Sequence, residues 1–173
     1  MDPEQETQVV RRAKLQAYRI LAYRNQTASE LRDRLQRRGY TITIIDAVLH
    51  QLVSDGYLDD RKLALDWARY RLQTKPLGRR RLAWELRKRG IASEAVEEVL
   101  GEVYAEFDEI TLAEQAARKR LGSGGIPRSP RERQRHVRHL VSLGFDMETV
   151  ATVLAALGSV DEAQDVVSSE EVC

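Results

Sequence analysis

One spacing occurs three times in this chain and governs what it can fold into. Leu35 to Gly39, Leu86 to Gly90 and Leu140 to Gly144 each place a leucine four residues before a glycine, and a large apolar residue follows at once: Tyr40, Ile91 and Phe145. Beyond each glycine, apolar residues return at the same three offsets, as Ile45, Val48 and Leu49, as Val96, Val99 and Leu100, and as Val150, Val153 and Leu154. A helix that stops at a glycine, followed by a second whose buried stripe restarts in register, produces this pattern. Self-similarity at a period of about fifty residues is the signature of a repeat architecture. The chain therefore reads as three copies of one helical unit.

Helical periodicity and stop signals predict nine helices. The first covers 5 to 25, with Leu15, Tyr18, Leu21 and Ala22 sharing a face. A second starts at Thr27 or Ala28 and ends before Gly39, which accepts positive φ without a Cβ clash. A third runs from about Thr43 to Val53 and stops at Asp55-Gly56. The next opens at Asp59-Asp60, where a carboxylate can cap exposed amides. Pro76 and Gly78 then break the chain before a helix from Arg79 to Arg89. Ser93 and Asp108 cap the following two, and the last pair covers 129 to 143 and 146 to 157. The run Gly122 to Pro127 is a linker, and residues 158 to 173 are expected to form a frayed acidic tail. Thr41 to Ile45 is β-prone in composition, but its counterparts in the other units are not, so helix is expected there as well. The unit boundaries follow as 1–58, 59–107 and 108–157, with the tail at 158–173.

Net charge is only +1, yet the charges are segregated. Residues 69 to 89 hold nine lysines and arginines against Glu85 alone, and 118 to 138 hold eight against Glu132 alone. After Arg138 there is no lysine or arginine, while seven acids follow. Such basic segments suit phosphates, through counterion release, or acidic protein surfaces. Arg37-Arg38 and Lys88-Arg89 occupy the same two positions ahead of the glycine in units one and two, which ties the basic residues to the repeat. The surface residues expected to meet a partner are Arg37, Arg38, Arg71, Arg79, Arg80, Arg81, Lys88 and Arg89. Glu85 is placed to pair with Arg81 or Arg89 one turn away.

No constellation in the sequence points to catalysis or to a cofactor. His136 and His139 share a helical face but lack a third and fourth ligand at suitable spacing. The glycines at 122 to 125 lack the lysine and hydroxyl of a phosphate-binding loop. Asp59 and Asp60 are explained by a helix start, and Trp67 and Trp84 by core packing. No apolar run approaches a membrane span, Met1 to Glu4 carry no signal-peptide pattern, and the single Cys173 has no partner. A monomeric cytoplasmic protein without membrane contact is expected.

Tyr57-Leu58-Asp59-Asp60, then Leu63-Ala64 and Trp67, then Gly78-Arg79-Arg80-Arg81-Leu82, then Glu85-Leu86 and Gly90-Ile91 resemble the central signature of the RecX family of bacterial recombination regulators. Arg24, Thr27, Glu30-Leu31, Leu35 and Gly39-Tyr40 resemble that family's first repeat, and the similarity runs in order over residues 14 to 157. Unit three departs from it. Ser142-Leu143-Gly144-Phe145 stands where the family commonly has Arg-Arg-Gly-Phe, and Leu63 where phenylalanine is usual. The resemblance implies an all-α fold of three tandem three-helix repeats in an elongated, curved array. It also implies a non-catalytic partner of the RecA recombinase filament on single-stranded DNA, restraining filament extension, strand exchange and ATP turnover in DNA repair and the SOS response. The competing reading is a module that binds single- or double-stranded DNA directly, since three small helices with a glycine turn also describe helix-turn-helix units. Affinity for naked oligonucleotide that falls steeply with salt would mark the second reading.

Overall fold

The computed structural model describes residues 3–121 and 129–157. The linker glycines, the acidic tail and Cys173 lie outside the described residues. Nine helices and no strand occur among those described: α1 (Pro3–Tyr23), α2 (Ala28–Gln36), α3 (Ile42–Ser54), α4 (Asp60–Thr74), α5 (Arg79–Lys88), α6 (Ser93–Glu106), α7 (Glu109–Leu121), α8 (Pro130–Ser142) and α9 (147–157). None of them is long and apolar enough to cross a membrane. The fold is all-α, built of tandem three-helix repeats as the spacing requires.

The helix starts are set by side chains that accept from amides lacking a partner in the first turn. Thr27 and Glu30 form a reciprocal capping box on α2, and Ser129 and Glu132 form another on α8, where Pro130 occupies the first turn. Asp108 accepts from the amide of Thr111 at 2.8 Å, and Asp146 from that of Thr149 at 2.7 Å. Their carboxyls sit below the usual range for that reason first.

Each repeated glycine ends its helix in the same way. Gly39, Gly90 and Gly144 have φ of 85°, 79° and 93°. The amide beyond each donates to the leucine carbonyl five residues back, Tyr40 to Leu35, Ile91 to Leu86 and Phe145 to Leu140, all at 3.3 Å. This is the Schellman closure, which satisfies orphan carbonyls and requires a left-handed residue. The three leucines are fully buried, as are Val48, Val99 and Val153 on the helices that follow.

The chain resolves into two compact units. The first comprises residues 1–67 and 85–99, the second 68–84 and 100–173. In the first, α1, α2 and α3 pack mutually around Leu31, Leu35, Ile45, Val48 and Leu52. The face that α1 buries carries Ala13, Ala17 and Ile20, with Tyr18 and Leu21 of the expected face packed against the same core; Leu15, 53% exposed, and Ala22 turn outward, so the expected face is shifted rather than lost. Small side chains at helical spacing let helices approach closely, and a reading weighted toward large apolar residues misses them. In the second unit, Leu82, Ala113, Ala117, Leu140, Phe145 and Val153 are buried, and α7 packs on α8.

Candidate functional site

Two corners in the fold are built alike. In the first unit, the hydroxyl of Thr27 donates to the carbonyl of Arg89, immediately before Gly90, at 2.7 Å. In the second, the amide of Gly78 donates to the carbonyl of Leu143, immediately before Gly144, at 3.0 Å. Thr27 and Gly78 stand at the same distance before their own repeat's glycine. The start of one repeat's second helix is thus seated on the glycine corner of the next. A Cβ on Gly90 would strike the Ser29 side chain, one on Gly144 the backbone of Arg81, and one on Gly78 the backbone of Gly144 and Phe145. The earliest corner has no such neighbour: around Gly39 nothing lies within 4 Å of a built Cβ.

These seats decide which arginines face outward. Arg89 donates to Glu30 from Nε at 3.1 Å and from Nη2 at 3.3 Å, and its guanidinium lies 5.6 Å from the centroid of Trp67, itself half-buried. Burial alone would push the Glu30 carboxyl up, but the hydrogen bonds from Arg89 and from the Thr27 amide outweigh it and hold the group below its ordinary value. Asp60 accepts from the Ala28 amide at 2.8 Å, and burial raises its carboxyl despite that bond.

Because the Glu30 pKa is depressed on folding, its contribution to stability is present above its unfolded value and lost as pH falls through the folded one. Glu30→Gln is therefore expected to cost about 1 kcal/mol at neutral pH, with the deficit shrinking below about pH 4. Urea midpoints of both chains at pH 7 and pH 3.5 measure it; an equal deficit at both would remove the ion pair from the account.

In the second unit, Arg79 donates from its amide and its Nε to Glu109 at 2.9 and 3.2 Å and lies 4.7 Å from the centroid of Tyr104. The Tyr104 hydroxyl donates to the Leu77 carbonyl at 2.8 Å, and burial pushes its ionisation well up. Arg81 lies 4.5 Å from the centroid of Trp84, whose 49% exposure corrects the expectation of a core position. Arg80 is exposed; its backbone amide donates to the Gly144 carbonyl at 3.3 Å, and its charge contributes to holding the Asp146 carboxyl low. Arg37, Arg38 and Lys88 are exposed, and Arg38 donates to the Arg34 carbonyl at 3.3 Å. Arg71 is half-buried. The eight basic positions thus differ in kind: Arg89 ties a glycine corner to Glu30 and Arg79 ties α5 to Glu109, whereas Arg37, Arg38, Arg80, Arg81 and Lys88 lie on the exposed surface. The Glu85–Arg89 alternative gives way to the pair with Glu30.

Three-helix repeats joined glycine corner to helix start, with arginine on the outer turns, define a tandem-repeat scaffold. Family models describing the first and second three-helix domains of RecX match residues 13–52 and 59–100. The regulatory protein RecX of Halorhodospira halophila is 36% identical over 146 residues, covering 84% of this chain and 88% of that protein. That of Pelodictyon phaeoclathratiforme is 32% identical over 142 residues, covering 82% and 86%. The crystal structure of RecX from Lactobacillus salivarius superposes with a TM-score of 0.78 at 19% identity, covering 86% of this chain and 96% of that one. The chain belongs to the RecX family.

Proposed function

We propose that this chain regulates a RecA-type recombinase, binding its filament on single-stranded DNA as a monomer and limiting filament extension, ATP hydrolysis and strand exchange. Such a role belongs to recombinational DNA repair and the SOS response, in the cytoplasm. Similarity to proteins named regulatory protein RecX over most of their length is the observation that carries this reading. The recurring corners support three repeats, at 1–58, 59–107 and 108–157. Guanidinium groups fit carboxylates of a protein partner and phosphates of DNA alike. Arg37 and Arg80 are the plainest candidates for contact, since neither has an ion-pair partner among the described residues.

The test is inhibition of RecA ATP hydrolysis and strand exchange on single-stranded DNA by the purified chain. The wild type is expected to inhibit both. The pair Arg80→Ala and Arg81→Ala is expected to raise the half-inhibiting concentration about tenfold, equivalent to about 1.4 kcal/mol, with the helical circular-dichroism signal retained at the assay temperature. Arg79 is left in place because it ties α5 to Glu109. Tight binding to naked oligonucleotide without any effect on RecA would instead establish a DNA-binding module.

A further inference from the structure

Lys75, Lys119 and Arg120 converge on one cleft within the second unit. Together with Arg71 and His139 they line a space of about 600 Å³, floored by Pro76, Ala116 and Leu143. Arg71 and Lys75 come from the end of α4, Lys119 and Arg120 from the end of α7, and His139 from α8. Cations at helix C-termini complement the dipole, which accounts for some of these charges on separate helices but not for their facing one another across a cavity. Among the described residues no carboxylate lines the cleft, and Lys75, Lys119 and Arg120 have no ion pair. The His139 imidazole is held below its ordinary value, by burial first and then by Arg120, His136 and Lys75. The like charges of Lys75, Lys119 and Arg120 around one cavity are destabilising unless an anion enters.

We propose that this cleft binds the phosphodiester backbone of single-stranded nucleic acid. Among its described lining residues the cations outnumber the one aromatic ring, the His139 imidazole, so recognition falls chiefly on phosphate and is largely indifferent to sequence. Cations from three helices suit successive phosphates of a flexible strand better than one isolated anion. The inference deepens the filament reading above, because it gives the chain its own hold on DNA, apart from the α5 arginines.

The experiment is fluorescence anisotropy of labelled oligothymidylate and oligoadenylate with the full chain at several salt concentrations, without RecA. The variant Lys75→Ala, Lys119→Ala and Arg120→Ala is expected to lose at least about tenfold in affinity for both strands, and the slope of log affinity against log salt to shrink by about 2. The His139 imidazole, followed by NMR in the wild type, should titrate at higher pH once oligothymidylate is bound, which locates the site without depending on any variant. An unchanged His139 titration, or a folded triple variant with wild-type affinity and slope, would overturn the proposal. So would displacement of the strand by inorganic pyrophosphate at equal phosphate concentration. Inhibition of RecA ATP hydrolysis by the same triple variant is measured separately: lost oligonucleotide affinity with inhibition retained would support the cleft and count against the filament reading's dependence on it, so the two can fail separately.

Discussion

Gly78→Ala is expected to lower stability by roughly 3 kcal/mol, a drop in melting temperature of about 10 °C. The new methyl has nowhere to go, since it would meet the backbone of Gly144 and Phe145 rather than a side chain able to rotate away. Relieving the collision means parting the start of α5 from the corner, which breaks the bonds from Gly78 to Leu143 and from Arg80 to Gly144. A matched pair isolates that seat from backbone strain. Gly39→Ala and Gly144→Ala share the left-handed conformation, with φ of 85° and 93°, but only Gly144 has a neighbour in the way, the backbone of Arg81. Gly39→Ala should cost about 1 kcal/mol from the backbone alone, and Gly144→Ala about 1–3 kcal/mol more. Thermal or urea unfolding of the three variants decides the matter; equal losses at Gly39 and Gly144 would show that the corner contact contributes nothing.

Leu86→Ala should be as damaging, for the opposite reason. Leu86 is fully buried, with Val96 and Val99 at 0% exposure on the helix beyond the corner, and its carbonyl accepts the closing bond from Ile91. Truncation leaves a cavity that its neighbours fill only in part, at a cost of about 2–5 kcal/mol. The same change at Leu15, an apolar residue that faces solvent, should cost less than about 0.5 kcal/mol. Urea denaturation of both reports the contrast, and a Leu86→Ala chain as stable as the wild type would break the assignment of the repeat core.

The repeat itself could be read directly from the residues, because a glycine at positive φ and a buried leucine one turn earlier are side-chain requirements and leave a trace in composition. Corner seating leaves no comparable trace. Thr27 and Gly78 share a role and a position but no chemistry, since one donates through a hydroxyl and the other through its amide, and both acceptors are backbone carbonyls. Trp84 was legible in principle: Arg81, one turn earlier, covers its ring and makes an exposed position tolerable. The cleft was not. Lys75 and Lys119 fall in separate basic stretches, and only the fold of the second unit brings such distant charges to one cavity.

The corners also give the chain a grammar of order. In each seat the donor lies earlier in the chain than the acceptor, so the succession of repeats has a direction, and side chains make each seat particular. At the Arg89 corner the third position of the incoming helix is Glu30; at the Leu143 corner the corresponding position is Arg81. Shuffling the repeats would violate the Glu30–Arg89 pairing. Unit one set directly before unit three would bring Glu30 to a leucine and strand its carboxylate, and unit two followed by a copy of itself would press Arg81 against Arg89. The copies descend from one pattern, yet each is keyed to its neighbour, and a swap of whole repeats would have to exchange the residues on both sides of the seam.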